Sequence, residues 1–285
     1  MSKAGSLPSA SDAPGAPILG ALLARKRTLV MGILNVTPDS FSDGGQFFDA
    51  GKAITHAQDM VAKGADIIDI GAESTRPYGG AVAVSADEEI ARLKDVLPRV
   101  VALGTPVSID SMKARVAAWA LDAGATILND VWGLQRDPEM APLAAASRAP
   151  VIVMHNREQA EPGIDIVADI ERFFERSLEI ADHAGVKRDQ IVLDPGIGFG
   201  KTPEQSIEAL AKFRTLKKFG LPLLIGASRK RFISTIVASE PDERLGGSIA
   251  SHLLAVIDGA DIVRTHDVAE TMQALRVAAA IRSAQ

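Results

Sequence analysis

Eight places in the chain put a side chain able to bind or move charge directly behind a short apolar run. They are Asn35, Asp69 followed by Glu73, Asp110, Asn129 with Asp130, His155, Asp194, Ser228 through Lys230, and Arg264 with His266. Carboxylates and amides match the donor and acceptor edge of a planar heterocycle, while Lys, Arg and His bind anions. One such residue alone reads as the cap of the next helix, since Asp, Asn and Ser accept from free backbone N–H groups there. Eight in succession, each behind apolar residues, point to one site for an anionic, ring-shaped ligand. Asp130 and Asp267 suit plain caps, and His155 a structural place. His56, His183 and His252 fall within helical stretches and receive no role.

Arg264 and His266 lie two apart on a strand, so both point the same way and form an anion clamp. In Gly226-Ala-Ser-Arg-Lys-Arg-Phe232, Ser228 is placed to cap a helix. Lys230 then falls in the first turn, against the helix dipole, which argues for a functional cation. Asp194-Pro-Gly-Ile-Gly-Phe-Gly200, taken as far as Gly200, lacks the Lys-Ser/Thr ending of a phosphate loop. It reads better as a tight turn holding Asp194 inward and Phe199 at the rim. The segments Asn35–Gly45 and Gly71–Gly80 are long, polar and Gly-ended, which suits lids that shield a reaction from water.

The elements that must position these residues alternate. Apolar, Val/Ile-rich runs at 28–35, 65–71, 106–110, 125–130, 150–155, 191–194, 222–226 and 261–266 read as strands buried on both faces. Amphipathic stretches separate them, several stopped by Gly64, Gly104, Gly124, Gly185, Gly220 or Gly259. Eight evenly spaced units, with no GxGxxG after the first strand, favour a (β/α)8 TIM barrel over an open doubly wound sheet. Residues 1–24, rich in Ala, Ser, Pro and Gly, read as a disordered tail, and 25–285 as one barrel domain. A net charge of −5 argues against nucleic acid as a partner, and no run is long and apolar enough for a membrane. With no Cys, disulfides and thiolate metal sites are excluded, which fits a cytoplasmic protein.

The segments GILNVTPDSFSDGG, DIGAESTRP, SIDSMK, ILNDVWG, LDPGIGFGKTPEQ, GASRKRF and VRTHDV, in this order over residues 28–282, resemble the dihydropteroate synthase family. The resemblance implies that 4-aminobenzoate displaces diphosphate from (7,8-dihydropterin-6-yl)methyl diphosphate. It also implies Mg²⁺, a homodimer, and a sulfonamide target. It places Asp194 on the pterin's amino and ring N–H pair, with Asp110, Asn129, Val131 and Lys230 on the rest of the ring. Asn35, Thr75, Arg264 and His266 would meet the diphosphate, Asn35 also offering its amide oxygen to the metal. Phe41, Thr75, Pro77, Phe199 and Ser228 would hold the aminobenzoate. Asp43, Lys230, Arg264 and His266 would serve the reacting centre. The stretch after Pro77, around Tyr78, departs from the family by running longer, beside the aminobenzoate pocket.

Two rivals remain at this point. A corrinoid methyltransferase barrel would share the pterin-facing Asp and Asn but would not need Arg264, His266 or the Ser-Arg-Lys run. A catalytically idle pterin binder would not need the full set of polar strand ends.

Overall fold

The computed structural model describes residues 18–37, 50–73 and 84–284. Eight strands form one parallel sheet: β1 Leu29–Asn35, β2 Ile67–Gly71, β3 Val107–Asp110, β4 Ile127–Asp130, β5 Val151–Met154, β6 Ile191–Asp194, β7 Leu224–Ile225 and β8 Ile262–Thr265. The order β6-β5-β4-β3-β2-β1-β8-β7, with a parallel bridge between Leu193 and Leu223, brings the two edges together into a barrel. All eight expected strands are present; β6 spans the expected residues and the others are shorter by a residue or two at one or both ends.

The strands are apolar on both faces because both faces are covered. Leu29, Met31, Ile67, Ile127, Ile152, Val192, Leu224 and Ile262 fill the barrel interior. Val30, Leu34, Ile68, Ile70, Leu128, Val153, Leu193 and Val263 pack outward into the helical layer. That layer contains α2 Ala50–Ala62, α3 Ala86–Leu93, α4 Leu97–Val101, α5 Ala114–Asp122, α6 Met140–Ser147, α7 Ile166–Ala184, α8 Pro203–Ala211, α9 Arg231–Ile236, α10 Leu245–Ile257 and α11 Val268–Ser283. The Gly stops act as their chemistry requires: Gly185 takes φ 88° after α7, a left-handed conformation that a side chain would strain.

The expected tail of 1–24 does not hold for its last residues. Ile18–Leu23 form a helix, α1, whose Leu19 and Leu22 are buried against the interior layer at the N-terminal ends of the strands. The run Ile18-Leu19-Gly20-Ala21-Leu22-Leu23 has the spacing of one apolar helix face, and the surrounding Ala, Pro and Gly hide it. Arg27 then pairs with Asp66, whose carboxylate also accepts from the backbone N–H of Val30 at 3.0 Å. The chain is thereby pinned as it enters β1.

Candidate active site

The strand register sets the polar residues at neighbouring heights. Asn35 pairs with Gly71, Gly71 with Asp110, Asp110 with Asn129, and Met154 with Asp194. Asp69 lies two residues below the end of β2, opposite Ser108. Arg264, on β8, reaches across the barrel mouth. Its Nε donates to Asp69 Oδ2 at 2.6 Å and its Nη2 to Asp110 Oδ2 at 2.7 Å. Asn129 Nδ2 donates to the same Asp69 oxygen at 3.1 Å. Asp69 Oδ1 and Asp110 Oδ1 are buried with no hydrogen-bond partner among the described residues. Two buried acceptors are thus left for something that donates.

Burial dominates the electrostatics. It pushes the Asp110 carboxyl up to about 7 against the pull of Arg264, with Asp69 and Glu89 adding repulsion. Burial also pushes Asp194 up, opposed by the Gly196 N–H, Arg264, Lys230 and Lys201. Arg264 is raised above the ordinary arginine value because Asp69 and Asp110 outweigh its burial. A strong mismatch between buried acids and few cations marks a site built for a ligand that brings donors.

An apolar floor adjoins the carboxylates. Val131, Met154 and Phe199 are buried together, with Met112 and Trp132 packed on them. Phe199 is therefore not at the rim. The turn that carries it folds inward because Gly196 and Gly200 approach the chain after β5 closely. A Cβ on Gly196 would stand 2.0 Å from the His155 carbonyl oxygen. The Gly196 N–H donates to Asp194 Oδ1 at 2.8 Å, which fixes the carboxylate. Lys230 Nζ lies 4.1 Å over the Phe199 ring.

Three local expectations are corrected. Ser228 does not cap a helix: its Oγ lies 2.9 Å from His266 Nδ1 and accepts from the His266 N–H at 3.2 Å. Helix α9 begins only at Arg231, so Lys230 sits at the cap position rather than inside the first turn. Asp267 makes no side-chain cap but pairs with Arg229. Asp130 does play a turn role, accepting from Trp132 N at 2.9 Å and Leu134 N at 2.7 Å. The Arg264/His266 clamp is divided here: His266 turns to Ser228, while the Arg264 guanidinium rests on the Asp69 and Asp110 carboxylates. Asn35 stands half-buried at the end of β1. Phe41, Asp43, Thr75, Pro77 and Tyr78, with most of both expected lids, lie outside the described residues.

Sequence reasoning missed Met154, Met112 and Lys201. Lys201 and Thr202 follow Gly200 directly, so the Lys-Ser/Thr ending is present after all. What departs from a phosphate loop is Pro195, where the first Gly would stand, and the Lys201 ammonium, which is buried and turned into its own loop.

The chain matches the family described as pterin binding enzymes over residues 31–266. It is 47% identical over 249 residues to a dihydropteroate synthase of Bacillus subtilis, covering 87% of this chain and 86% of the relative. The chain belongs to the dihydropteroate synthase family. It is 41% identical over 266 residues to the dihydropteroate synthase of Escherichia coli, across 90% of this chain and 92% of that one. Among solved structures, dihydropteroate synthase from Clostridium difficile in the presence of pteroic acid superposes with a TM-score of 0.86 at 50% identity, covering 90% of this chain and 97% of that one. Dihydropteroate synthase from Xanthomonas albilineans in complex with 7,8-dihydropteroate gives 0.82 at 40% identity, covering 90% and 94%. Dihydropteroate synthases are transferases of folate biosynthesis, and the eight-stranded barrel here is their fold.

Proposed function

We propose that this protein condenses (7,8-dihydropterin-6-yl)methyl diphosphate with 4-aminobenzoate, giving 7,8-dihydropteroate and diphosphate. The observation that carries the assignment beyond family membership is the pair of buried carboxylates on Arg264, set beside the floor of Val131, Met154 and Phe199. A pterin is flat, apolar on its faces and rich in N–H donors along one edge. The floor takes a face, and the acids take the edge.

The residues divide the work by chemistry. Asp194, held by the Gly196 N–H, accepts the amino and ring N–H pair, a charge-assisted bidentate contact. Asp110 and Asn129, neighbours in register, and Val131 border the remaining ring atoms, and Lys230 donates to the ring carbonyl and N5. The methylene C–O bond breaks with its electron pair leaving on the diphosphate. The electron-rich ring stabilises the resulting cation, so no protein nucleophile is required. Arg264, His266, Asn35 and Thr75 bind the departing charge, which is the main stabilisation such a step needs. The aminobenzoate nitrogen then forms the new C–N bond and loses a proton. Phe41, Thr75, Pro77, Phe199 and Ser228 would orient that second substrate, with Asp43 near the reacting carbon.

Among the described residues no group of three or more His, Asp or Glu is arranged to hold a metal. The Asn35 amide oxygen would hold a Mg²⁺ ion, whose preference for hard oxygens and retained waters asks for few protein ligands. When bound it would neutralise charge on the leaving group. Sulfonamides, as aminobenzoate mimics, fall to the same pocket. The protein is further proposed to be cytoplasmic. No described helix is long and apolar enough to cross a membrane.

Calorimetry with a free dihydropterin tests the site. Asp194→Ala should cost roughly 2–5 kcal/mol, the loss typical of truncating one partner of a buried charged contact. Unchanged affinity would remove Asp194 from the site.

A further inference from the structure

Lys201 is a fully buried cation with no place in the proposed chemistry. Its Nζ donates to the Gly196 carbonyl at 2.8 Å, to the Phe199 carbonyl at 3.1 Å, and to His155 Nδ1 at 2.6 Å. His155 is itself fully buried, and its Nε2 lies 3.1 Å from Asp169 Oδ2, which also accepts from Arg157 Nη1 at 2.8 Å. An ammonium only donates, so Nδ1 accepts and the ring proton sits on Nε2, facing Asp169. The row Lys201–His155–Asp169 therefore ties the 194–200 turn to the end of β5 and to α7.

Both carbonyls held by Lys201 belong to the turn that carries Asp194 at one end and Phe199 near the other. Anchoring a turn does not need a charge, and burying one is costly. The charge has a nearby beneficiary, since Lys201 is one of three cations, with Arg264 and Lys230, acting on the buried Asp194. We infer that Lys201 is a positioning residue for pterin recognition, holding the 194–200 turn in shape and keeping Asp194 ionised. This rests on Asp194 being the pterin's acceptor.

The charged groups around Lys201 come from four elements. Asp194 at the end of β6 and Asp169 on α7 favour the ammonium. Arg157 after β5 and Lys230 before α9 oppose it, and His155, from the end of β5, faces it as a neutral ring. Burial outweighs the rest and lowers Lys201 to about 7, so its charge is sensitive to pH near neutrality.

The test uses the full-length protein and its Lys201→Met, Lys201→Arg and Asp194→Ala variants, with dihydropterin affinity measured by calorimetry from about pH 5 to pH 8.5. Lys201→Met should bind at least tenfold more weakly at neutral pH. Its acid limb, where affinity falls as Asp194 gains a proton, should move up by about one pH unit. Lys201→Arg, which keeps the charge, should leave the limb where the wild type has it. A limb unmoved in Lys201→Met, or moved equally in Lys201→Arg, overturns the inference. Should Lys201→Met fail to fold, ¹³C-carboxyl NMR of the wild type decides, with the Asp194 signal assigned by its absence in Asp194→Ala. A response of that carboxylate as Lys201 titrates near neutrality supports the coupling, and a flat signal overturns it. Loss of binding in Asp194→Ala together with an unmoved Lys201→Met limb overturns only this inference. Retained binding in Asp194→Ala overturns the pterin assignment beneath it.

Discussion

Arg264 is central to the proposed chemistry. Its guanidinium is shared by Asp69 and Asp110, and Asp69 also holds Asn129. These four side chains thus form one polar network. In the proposed reaction a pterin would donate to Asp69 Oδ1 and Asp110 Oδ1, and a diphosphate would compete for the arginine. The His266 ring meets Ser228, and the proposed function gives it to the diphosphate. His266→Ala should therefore weaken binding of the pterin diphosphate about tenfold or more while sparing free dihydropterin, a loss of one charge-assisted contact. Calorimetry with the two ligands checks it, and equal losses for both would place His266 on the pterin instead.

At the scale of elements, the strands and their polar ends were legible in the sequence because parallel barrel strands are apolar on both faces and stop at the mouth. Asn35, Asp110, Asn129, Asp194 and Arg264 all stand at or next to strand ends for this reason. The joins between elements were not legible. Ser228 meets His266 38 residues away, and Lys201 meets His155 46 residues away. No local period announces such pairs, and a cap or a surface cation is the better local reading of each. Helix α1 was hidden for a different reason: six residues in an Ala- and Pro-rich stretch are too few to set their apolar face apart, and only the end of the barrel gives Leu19 and Leu22 a use.

The join between β5 and α7 has a pH signature. Burial, with Lys201 beside it, lowers His155 to about 3 from an ordinary value of 6.5, and the His155 contact and Arg157 hold Asp169 below the usual carboxylate range. Between these two histidine values the unfolded chain binds more protons, so the contribution is complete above 6.5 and is lost as pH falls. For His155 alone the loss from pH 7 to pH 5 is about 2 kcal/mol. His155→Gln should be less stable than wild type at pH 7 yet lose correspondingly less on acidification. Denaturant melts at both pH values check this, and equal losses would mean that His155 does not titrate on unfolding.

At the scale of the whole molecule, the described residues expose an apolar patch on two neighbouring helices. Leu254 and Ile257 on α10 and Val277 and Ile281 on α11, an adjacent helix, are each more than half exposed. Such a patch on a monomer is a poor surface to leave in water, and a second copy related by a two-fold axis covers it economically. A homodimer through α10 and α11 is the proposed assembly. Leu254→Asp with Val277→Asp should convert it to a monomer by sedimentation, and a wild type that sediments as a monomer would contradict the assembly.

The bond broken at the pterin methylene releases diphosphate, which one assay reads directly. Diphosphate release is followed with the dihydropterin diphosphate, Mg²⁺ and 4-aminobenzoate, alongside dihydropteroate by mass. Wild type should release one diphosphate per dihydropteroate formed, and His266→Ala should slow that release. No diphosphate release from folded wild type, or methyl transfer from a methylated pterin to a corrinoid in its place, would contradict the assignment.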